Sequence, residues 1–435
     1  MADRAGRVTR HTLDNGLIVL LKEVHTAPVI SWWVLYRVGS RNERPGQTGI
    51  SHWVEHMMFK GTDRFPAGVL DKAIDREGGV WNAQTSFDYT AYYETMPAAR
   101  IQLALEAEAD RMVNARFDPE EVESERTVII SERQGSENSP TFWLYEETRA
   151  AAFRVHPYRH QIIGDMADLQ TMTRDDLYAH YRTYYVPNNA IAVAVGDFEI
   201  EEMLARIEAL YGGIPSGAPA PEATSVEPPQ DGERRVCVER EGNASYLYVV
   251  YRAPEATHPD WFKLALLDSM LAGASAPGAN SLGNRTSRLY KALVETELAT
   301  GVGGGIYPSV DPYLFSIIVT ARDGRSLEEV QQALDAEIGR IIGGGITQGE
   351  LDKAKKQAKA LFAYGTESIS GQAFWLAFSE NFSSYTWYEH YLEHLEAVTL
   401  DEVQAAARQY LQPSQRTVGW FVPTSDGDRG NHAQP

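Results

Sequence analysis

Residues 29–37, Val29-Ile-Ser-Trp-Trp-Val-Leu-Tyr-Arg37, are rich in β-branched and aromatic residues and read as a buried β-strand. A run of the same kind recurs at 244–252, Ala244-Ser-Tyr-Leu-Tyr-Val-Val-Tyr-Arg252, and both end in Tyr-Arg. Each is preceded by a shorter strand-like run, Gly16-Leu-Ile-Val-Leu-Leu21 in one case and Arg235-Val-Cys-Val238 in the other. Each is followed by a helical stretch and then a strand pair, expected at 79–96 and at 301–321. Helical patterns follow at 98–154 and 173–212, then at 326–343, 347–363 and 370–396. The closing strand-like runs also correspond, Ala190-Ile-Ala-Val-Ala-Val195 with Thr417-Val-Gly-Trp-Phe-Val422.

A Pro-, Gly- and Ser-rich stretch without periodicity, 213–232, separates the two series and reads as a linker. The length of 435 residues alone suggests about three domains at roughly 150 residues each. The repeated order of elements implies two α+β domains from one duplicated unit instead. The expected layout is a domain over 1–212, the linker 213–232, a homologous domain over 233–424 and a disordered tail at 425–435.

Composition narrows the function. Lys and Arg total 40 against 60 Asp and Glu, a formal charge of −20 that repels phosphate backbones and disfavours nucleic acid. Cys237 is the only cysteine, which excludes an intramolecular disulfide and any multi-thiolate metal site. The longest uncharged apolar run, Val29–Tyr36, is far short of the ~20 residues that cross a bilayer. No apolar leader follows Met1, so a cytoplasmic protein without a membrane partner is the expectation. The glycine runs 303–305 and 343–345 lack the lysine and spacing of a phosphate loop.

Chemistry concentrates in Gly49-Ile-Ser-His-Trp-Val-Glu-His-Met-Met-Phe-Lys-Gly-Thr62. On a helix, His52 and His56 stand at i and i+4, about 40° apart, with Glu55 flanking the same face. Two neutral imidazoles suit Zn²⁺, which in a catalytic site takes a third protein ligand and keeps a position open for water. A carboxylate beside that water can accept its proton. His-x-x-Glu-His is the inverted order of the commoner zinc-peptidase motif. The pattern occurs twice, but the copy at His390-Tyr-Leu-Glu-His394 sits in an amphipathic stretch and reads as a solvated helix face. His156 and His160 are also i, i+4, yet Pro157 between them disfavours a helix and hence a second metal site. Downstream, Glu125 and Glu132 are i and i+7, about 20° apart in projection, and line one stripe of a helix.

Together, His52-x-x-Glu55-His56 and Glu125-Arg-Thr-Val-Ile-Ile-Ser-Glu132 resemble the pitrilysin, insulin-degrading enzyme and mitochondrial processing peptidase superfamily. That family's third zinc ligand lies about 76 residues after the second histidine, the spacing from His56 to Glu132. The resemblance continues through Phe59-Lys-Gly-Thr62, the run from Asn82 to Tyr93, His156-Pro-Tyr158 and Ser287-Arg-Leu-Tyr290. It implies two homologous domains, each a mostly antiparallel sheet packed with helices, forming half of a clamshell chamber. It implies one Zn²⁺ per chain on His52, His56 and Glu132, Glu55 as general base, and Glu125 as an acidic residue behind a histidine ligand. Asn82 and Ala83 would lie on the edge strand to which a peptide substrate is added.

The sequence departs from the family in its second half. Active single-chain members carry an Arg and a Tyr after the Arg-Leu-Tyr element, where this chain has Leu293-Val294-Glu295 and Ala299-Thr300. Neither replacement donates to a developing oxyanion as Arg and Tyr would. The resemblance therefore implies the zinc-bearing subunit of a heterodimer whose homologous partner carries the Arg/Tyr pair, with a homodimer as the alternative in isolation. The alternative is a non-catalytic, peptide-binding or scaffold subunit of the same family.

Overall fold

The computed structural model of the chain describes residues 6–274 and 285–424. The tail expected to be disordered, 425–435, lies outside the described residues.

In the first half the strands are β1 (Val8–Thr12), β2 (Ile18–Glu23), β3 (Val29–Tyr36), β4 (Val80–Thr85), β5 (Thr90–Pro97) and β6 (Ala190–Gly196). The helices are α1 (Ile50–Met57), α2 (Val69–Arg76), α3 (Ile101–Asn114), α4 (Pro119–Glu137), α5 (Pro140–Ala152), α6 (Met166–Thr171), α7 (Arg174–Tyr184) and α8 (Ile200–Tyr211). The second half has strands β7 (Arg234–Glu241), β8 (Tyr246–Ala253), β9 (Ala299–Ile306), β10 (Tyr313–Ala321) and β11 (Arg416–Thr424). Its helices are α9 (Asp260–Leu271), α10 (Leu327–Ile342), α11 (Gln348–Gly365), α12 (Ile369–Phe382), α13 (Tyr385–Glu389), α14 (Tyr391–Ala397) and α15 (Leu400–Tyr410). The single helix expected over 370–396 is thus three, interrupted at 383–384 and at His390.

The first sheet has the order β1-β2-β6-β3-β5-β4 and the second β7-β11-β8-β10-β9. Without β1, the two orders correspond strand for strand. So do the directions: β2/β6 and β7/β11 are parallel and every other pair is antiparallel. The duplication read from element order is therefore present in the topology, as two α+β units with mostly antiparallel sheets. Central strands β3 and β6 are buried almost throughout, as unbroken apolar runs require when helices cover both faces. Strand β4 is an edge, and its Val80 is 68% exposed.

The packing units are discontinuous in sequence. One comprises 1–133, 160–225 and 366–389; the other comprises 134–159, 226–365 and 390–435. They differ from the continuous domains 1–212 and 233–424 by an exchange of segments. Helix α5, from the first half, packs on β7, β8 and β11 of the second sheet. Its Leu144 joins Val238 and Phe421 in a small core. Helix α12, from the second half, packs on β3 and β6 of the first sheet, with Phe374 5.8 Å from Trp33. Its Glu380 pairs with Arg10 at 3.0 Å. An apolar helix face dictates that the helix be covered, but not which of two similar sheets covers it.

Candidate metal centre

Helix α1 is set by two interleaved patterns. Ile50, Trp53, Val54 and Met57 stand at i, i+3, i+4 and i+7 and are buried in the core. The opposite face carries His52, Glu55 and His56 at the same spacing. Gly49 at the N-terminus has φ +86°, and a Cβ there would lie 2.5 Å from the Ile163 carbonyl oxygen. With no capping side chain at that position, Glu43 serves instead: its buried carboxylate accepts from the Gly49 N–H at 2.8 Å and the Ser51 N–H at 2.9 Å. A carboxylate there satisfies free helix donors and complements the positive end of the helix dipole.

The two imidazoles lie with ring centroids 4.6 Å apart. Glu132, on α4, brings Oε2 to 3.9 Å from Nε2 of His52 and 3.8 Å from Nε2 of His56. One ligand atom from each residue lies within 4.8 Å of the others, and among the described residues no other His, Cys, Asp or Glu group converges in this way. Tetrahedral Zn²⁺ with bonds of ~2.0–2.1 Å needs ligand atoms roughly 3.3–3.5 Å apart. The observed set is slightly wider, and the Glu132 side chain, 48% exposed, has room to move inward. Two nitrogens and one carboxylate oxygen are also the donor chemistry that Zn²⁺ takes in catalytic sites. The residues fit the ion.

Electrostatics support the same arrangement. Burial, reinforced by the neighbouring His56, lowers the His52 pKa to about 4, so its imidazole is neutral, the form that coordinates a metal. Burial also acts to lower His56, but its hydrogen bond to Glu125 and the charges of Glu55, Glu125 and Glu132 outweigh burial and raise it. Nδ1 of His56 lies 2.8 Å from Oε1 of Glu125, which is itself buried and ion-paired with Lys60. That bond directs the other ring nitrogen, Nε2, toward Glu132. Glu55 is only 8% exposed; burial raises its pKa, opposed by a hydrogen bond of 2.5 Å from the Thr85 hydroxyl.

Thr85 ends the edge strand β4, so the carboxylate on α1 is tied to the strand that carries Asn82 and Ala83. Ala83 pairs with Tyr92 and Asn82 with Tyr93 of β5. Side chains alternate along a strand, so Ala83 shares the face of Thr85, whereas the Asn82 side chain projects from the other face. Oδ1 of Asn82 accepts from the Ala83 N–H at 2.9 Å.

Other sequence candidates are engaged elsewhere. His390 lies at the break between α13 and α14, its ring centroid is 6.5 Å from that of His394, and its Nδ1 pairs with Glu393 at 2.9 Å. His156 pairs with Asp311 at 3.0 Å, and His160 with Glu43 at 2.9 Å. Arg288 is held by Glu350 at 2.7 Å and Glu337 at 3.0 Å. Sequence reasoning missed the roles of Thr85, Lys60 and Glu43. The first two stand inside quoted motif runs, but only the fold reveals their partners.

The chain matches two family models: residues 18–166 match Insulinase (Peptidase family M16), and residues 171–358 match Peptidase M16 inactive domain. It is 32% identical over 423 residues to the zinc protease PqqE of Helicobacter pylori, covering 95% of this chain and 92% of that protein. It is 26% identical over 371 residues to a probable mitochondrial-processing peptidase subunit beta of Arabidopsis thaliana, covering 84% of this chain and 68% of the relative. Among solved structures, a protease from Helicobacter pylori superposes with a TM-score of 0.90 at 30% identity, covering 96% of this chain and all of that one. With matching models over most of its length, a full-length relative above 30% identity and a shared fold, the chain belongs to peptidase family M16, the insulinase and pitrilysin-like family.

Proposed function

We propose that the chain is a zinc metalloendopeptidase that holds one Zn²⁺ on His52, His56 and Glu132 and cleaves peptides or unfolded polypeptide segments. The observation that carries this function is the convergence of the three ligand atoms beside a buried carboxylate, Glu55, whose pKa is raised. When bound, zinc polarises the scissile carbonyl and lowers the pKa of its water. Glu55 accepts the proton of that water and passes it to the leaving amine, and burial moves its pKa toward the range such a base needs. The Thr85 hydroxyl fixes one Glu55 oxygen, leaving the other for the proton. Glu125 holds the Nδ1 proton of His56, so that Nε2 offers its lone pair to the ion. The free edge of β4 binds the substrate backbone as an added strand, which gives affinity with modest sequence demands.

Val294 and Thr300 stand where the family's active single chains carry Arg and Tyr. We therefore assign oxyanion stabilisation to a homologous partner subunit that closes a chamber with this one, a homodimer being the alternative in isolation. The Arabidopsis relative is itself named as a subunit, in keeping with that assignment. The same two positions, and the match of 171–358 to a domain described as inactive, favour a second function: a peptide-binding scaffold. Zinc content and cleavage of an unstructured peptide, measured for the wild type and Glu55→Gln with and without partner, separate the two. A catalytic subunit keeps zinc and loses cleavage in Glu55→Gln. A scaffold shows no Glu55-dependent cleavage under any condition.

A further inference from the structure

Two glutamates of α4 are each followed by an arginine, giving Glu125-Arg126 and Glu132-Arg133. The heptad that aligns the two carboxylates also aligns the two guanidiniums on an adjoining stripe. Both arginines reach one stretch of irregular chain and short helix, residues 160–172. Arg133, buried, donates from Nη1 to the Gly164 carbonyl. Arg126 donates to the Leu169 carbonyl at 2.5 Å and the Met172 carbonyl at 2.8 Å. Its guanidinium lies 4.7 Å from the ring centroid of Trp53 on α1.

The same stretch grips the N-terminus of the histidine helix. His160 pairs with Glu43, which accepts from the Gly49 and Ser51 N–H groups. Oδ2 of Asp168 accepts from the Thr48 N–H at 2.9 Å and its hydroxyl at 2.7 Å, and the Thr48 hydroxyl in turn accepts from the Asp165 N–H at 2.8 Å. Gly164 has φ +83°, and a Cβ there would lie 2.2 Å from the Thr48 carbonyl oxygen. The backbones thus meet where only glycine fits. From Glu132 the path runs through Arg133, Gly164, Thr48 and Gly49, by covalent link, hydrogen bond or close backbone contact, into the first turn of the helix that carries His52.

We propose that residues 160–172 are a brace that sets the separation of the histidine helix α1 and the glutamate helix α4, with Arg126, Arg133 and the Glu43–His160 pair as positioning residues for the metal. The brace rests on the assignment of His52, His56 and Glu132 as zinc ligands. It touches none of the three ligand atoms and acts by holding both helix backbones.

The test compares wild type, Arg133→Met, Arg126→Met and Arg133→Lys, with Arg416→Met as control. Arg416 is a similarly buried arginine of the other unit, paired with Glu233 and Asp335. Zinc affinity is read by competition with a chromophoric chelator, the Co²⁺-substituted site by its visible bands, and the apo fold by thermal unfolding. Support of a ligand from behind is worth roughly 10–100-fold in affinity, so zinc should weaken by that factor in both Met variants, with altered cobalt bands and partial recovery in Arg133→Lys. Arg416→Met should unfold earlier yet bind zinc within about twofold of wild type. If Arg133→Met does not fold, Arg126→Met, whose side chain is partly exposed, decides. Wild-type affinity and cobalt bands in the folded Met variants would overturn the brace, as would an equal loss in Arg416→Met. Failure of the wild type to bind zinc would instead overturn the ligand assignment.

Discussion

His56 of the candidate metal centre is hydrogen-bonded to Glu125: Nδ1 to Oε1 is 2.8 Å, and the carboxylate is buried. Burial acts to raise the Glu125 pKa, but His56 and Lys60 outweigh it and lower it, so the carboxylate is ionised at neutral pH. Glu125→Gln preserves the shape and an acceptor for the Nδ1 proton, yet removes the charge that, in the proposed site, makes His56 a stronger ligand. Zinc affinity should fall by about tenfold, at the lower end of the range for such partners, with the fold retained. Chelator competition with circular dichroism checks both halves of this expectation.

Glu55→Gln should behave differently because Glu55 lies outside the proposed ligand set. The amide cannot take a proton, so peptide cleavage should fall by about 10²–10⁴, the usual contribution of a general base. Zinc content should stay at one per chain. Loss of zinc together with activity would instead place Glu55 among the ligands.

The contrast between these residues shows how far the sequence reaches. His52, Glu55 and His56 were legible because the helical spacing that buries Ile50, Trp53, Val54 and Met57 also gathers the three polar groups on the opposite face. Glu132 was not legible from spacing alone, since an acidic stripe on a helix usually faces water; family resemblance singled it out. The strand pairs and the duplication were legible from the order of apolar runs. The exchange of α5 and α12 was not, because amphipathicity encodes that a helix is covered and leaves open by which sheet. Glu43 escaped notice for a similar reason. It caps a helix that begins seven residues later in the chain, through a loop whose path the sequence does not specify.

Beneath the edge strand lies a cluster that makes stability depend on pH. Glu94, Glu108 and Arg111 are buried together, two carboxylates to one guanidinium, with the cation 4.8–5.3 Å from the rings of Phe59, Trp81 and Tyr92. Burial raises the Glu94 pKa to about 8, against the attraction of Arg111. Between the ordinary carboxylate range and about 8, the folded state therefore binds more protons than the unfolded state, and stability falls as pH rises. Glu94→Gln stays neutral throughout. Denaturant unfolding from about pH 5 to 9 should show the variant gaining on the wild type as pH increases, and a constant difference would refute the burial of that charge.

The exchanged helix α5 gives the last prediction. Gly419 on β11 lies directly under it, and a Cβ at that position would fall 2.0 Å from the Thr148 hydroxyl oxygen and 2.9 Å from Cδ1 of Leu144. Gly419→Ala forces the helix outward or Thr148 off its rotamer, an overpacking cost of about 1–3 kcal/mol. Thr148→Ala removes the nearest clashing atom. The double variant should then be more stable than the two single changes predict by addition, with a coupling of about 0.5–3 kcal/mol, as for residues in direct contact. If the two effects add without coupling, α5 does not rest on β11. A coupling of the expected sign places a helix from the first half of the chain on the sheet of the second.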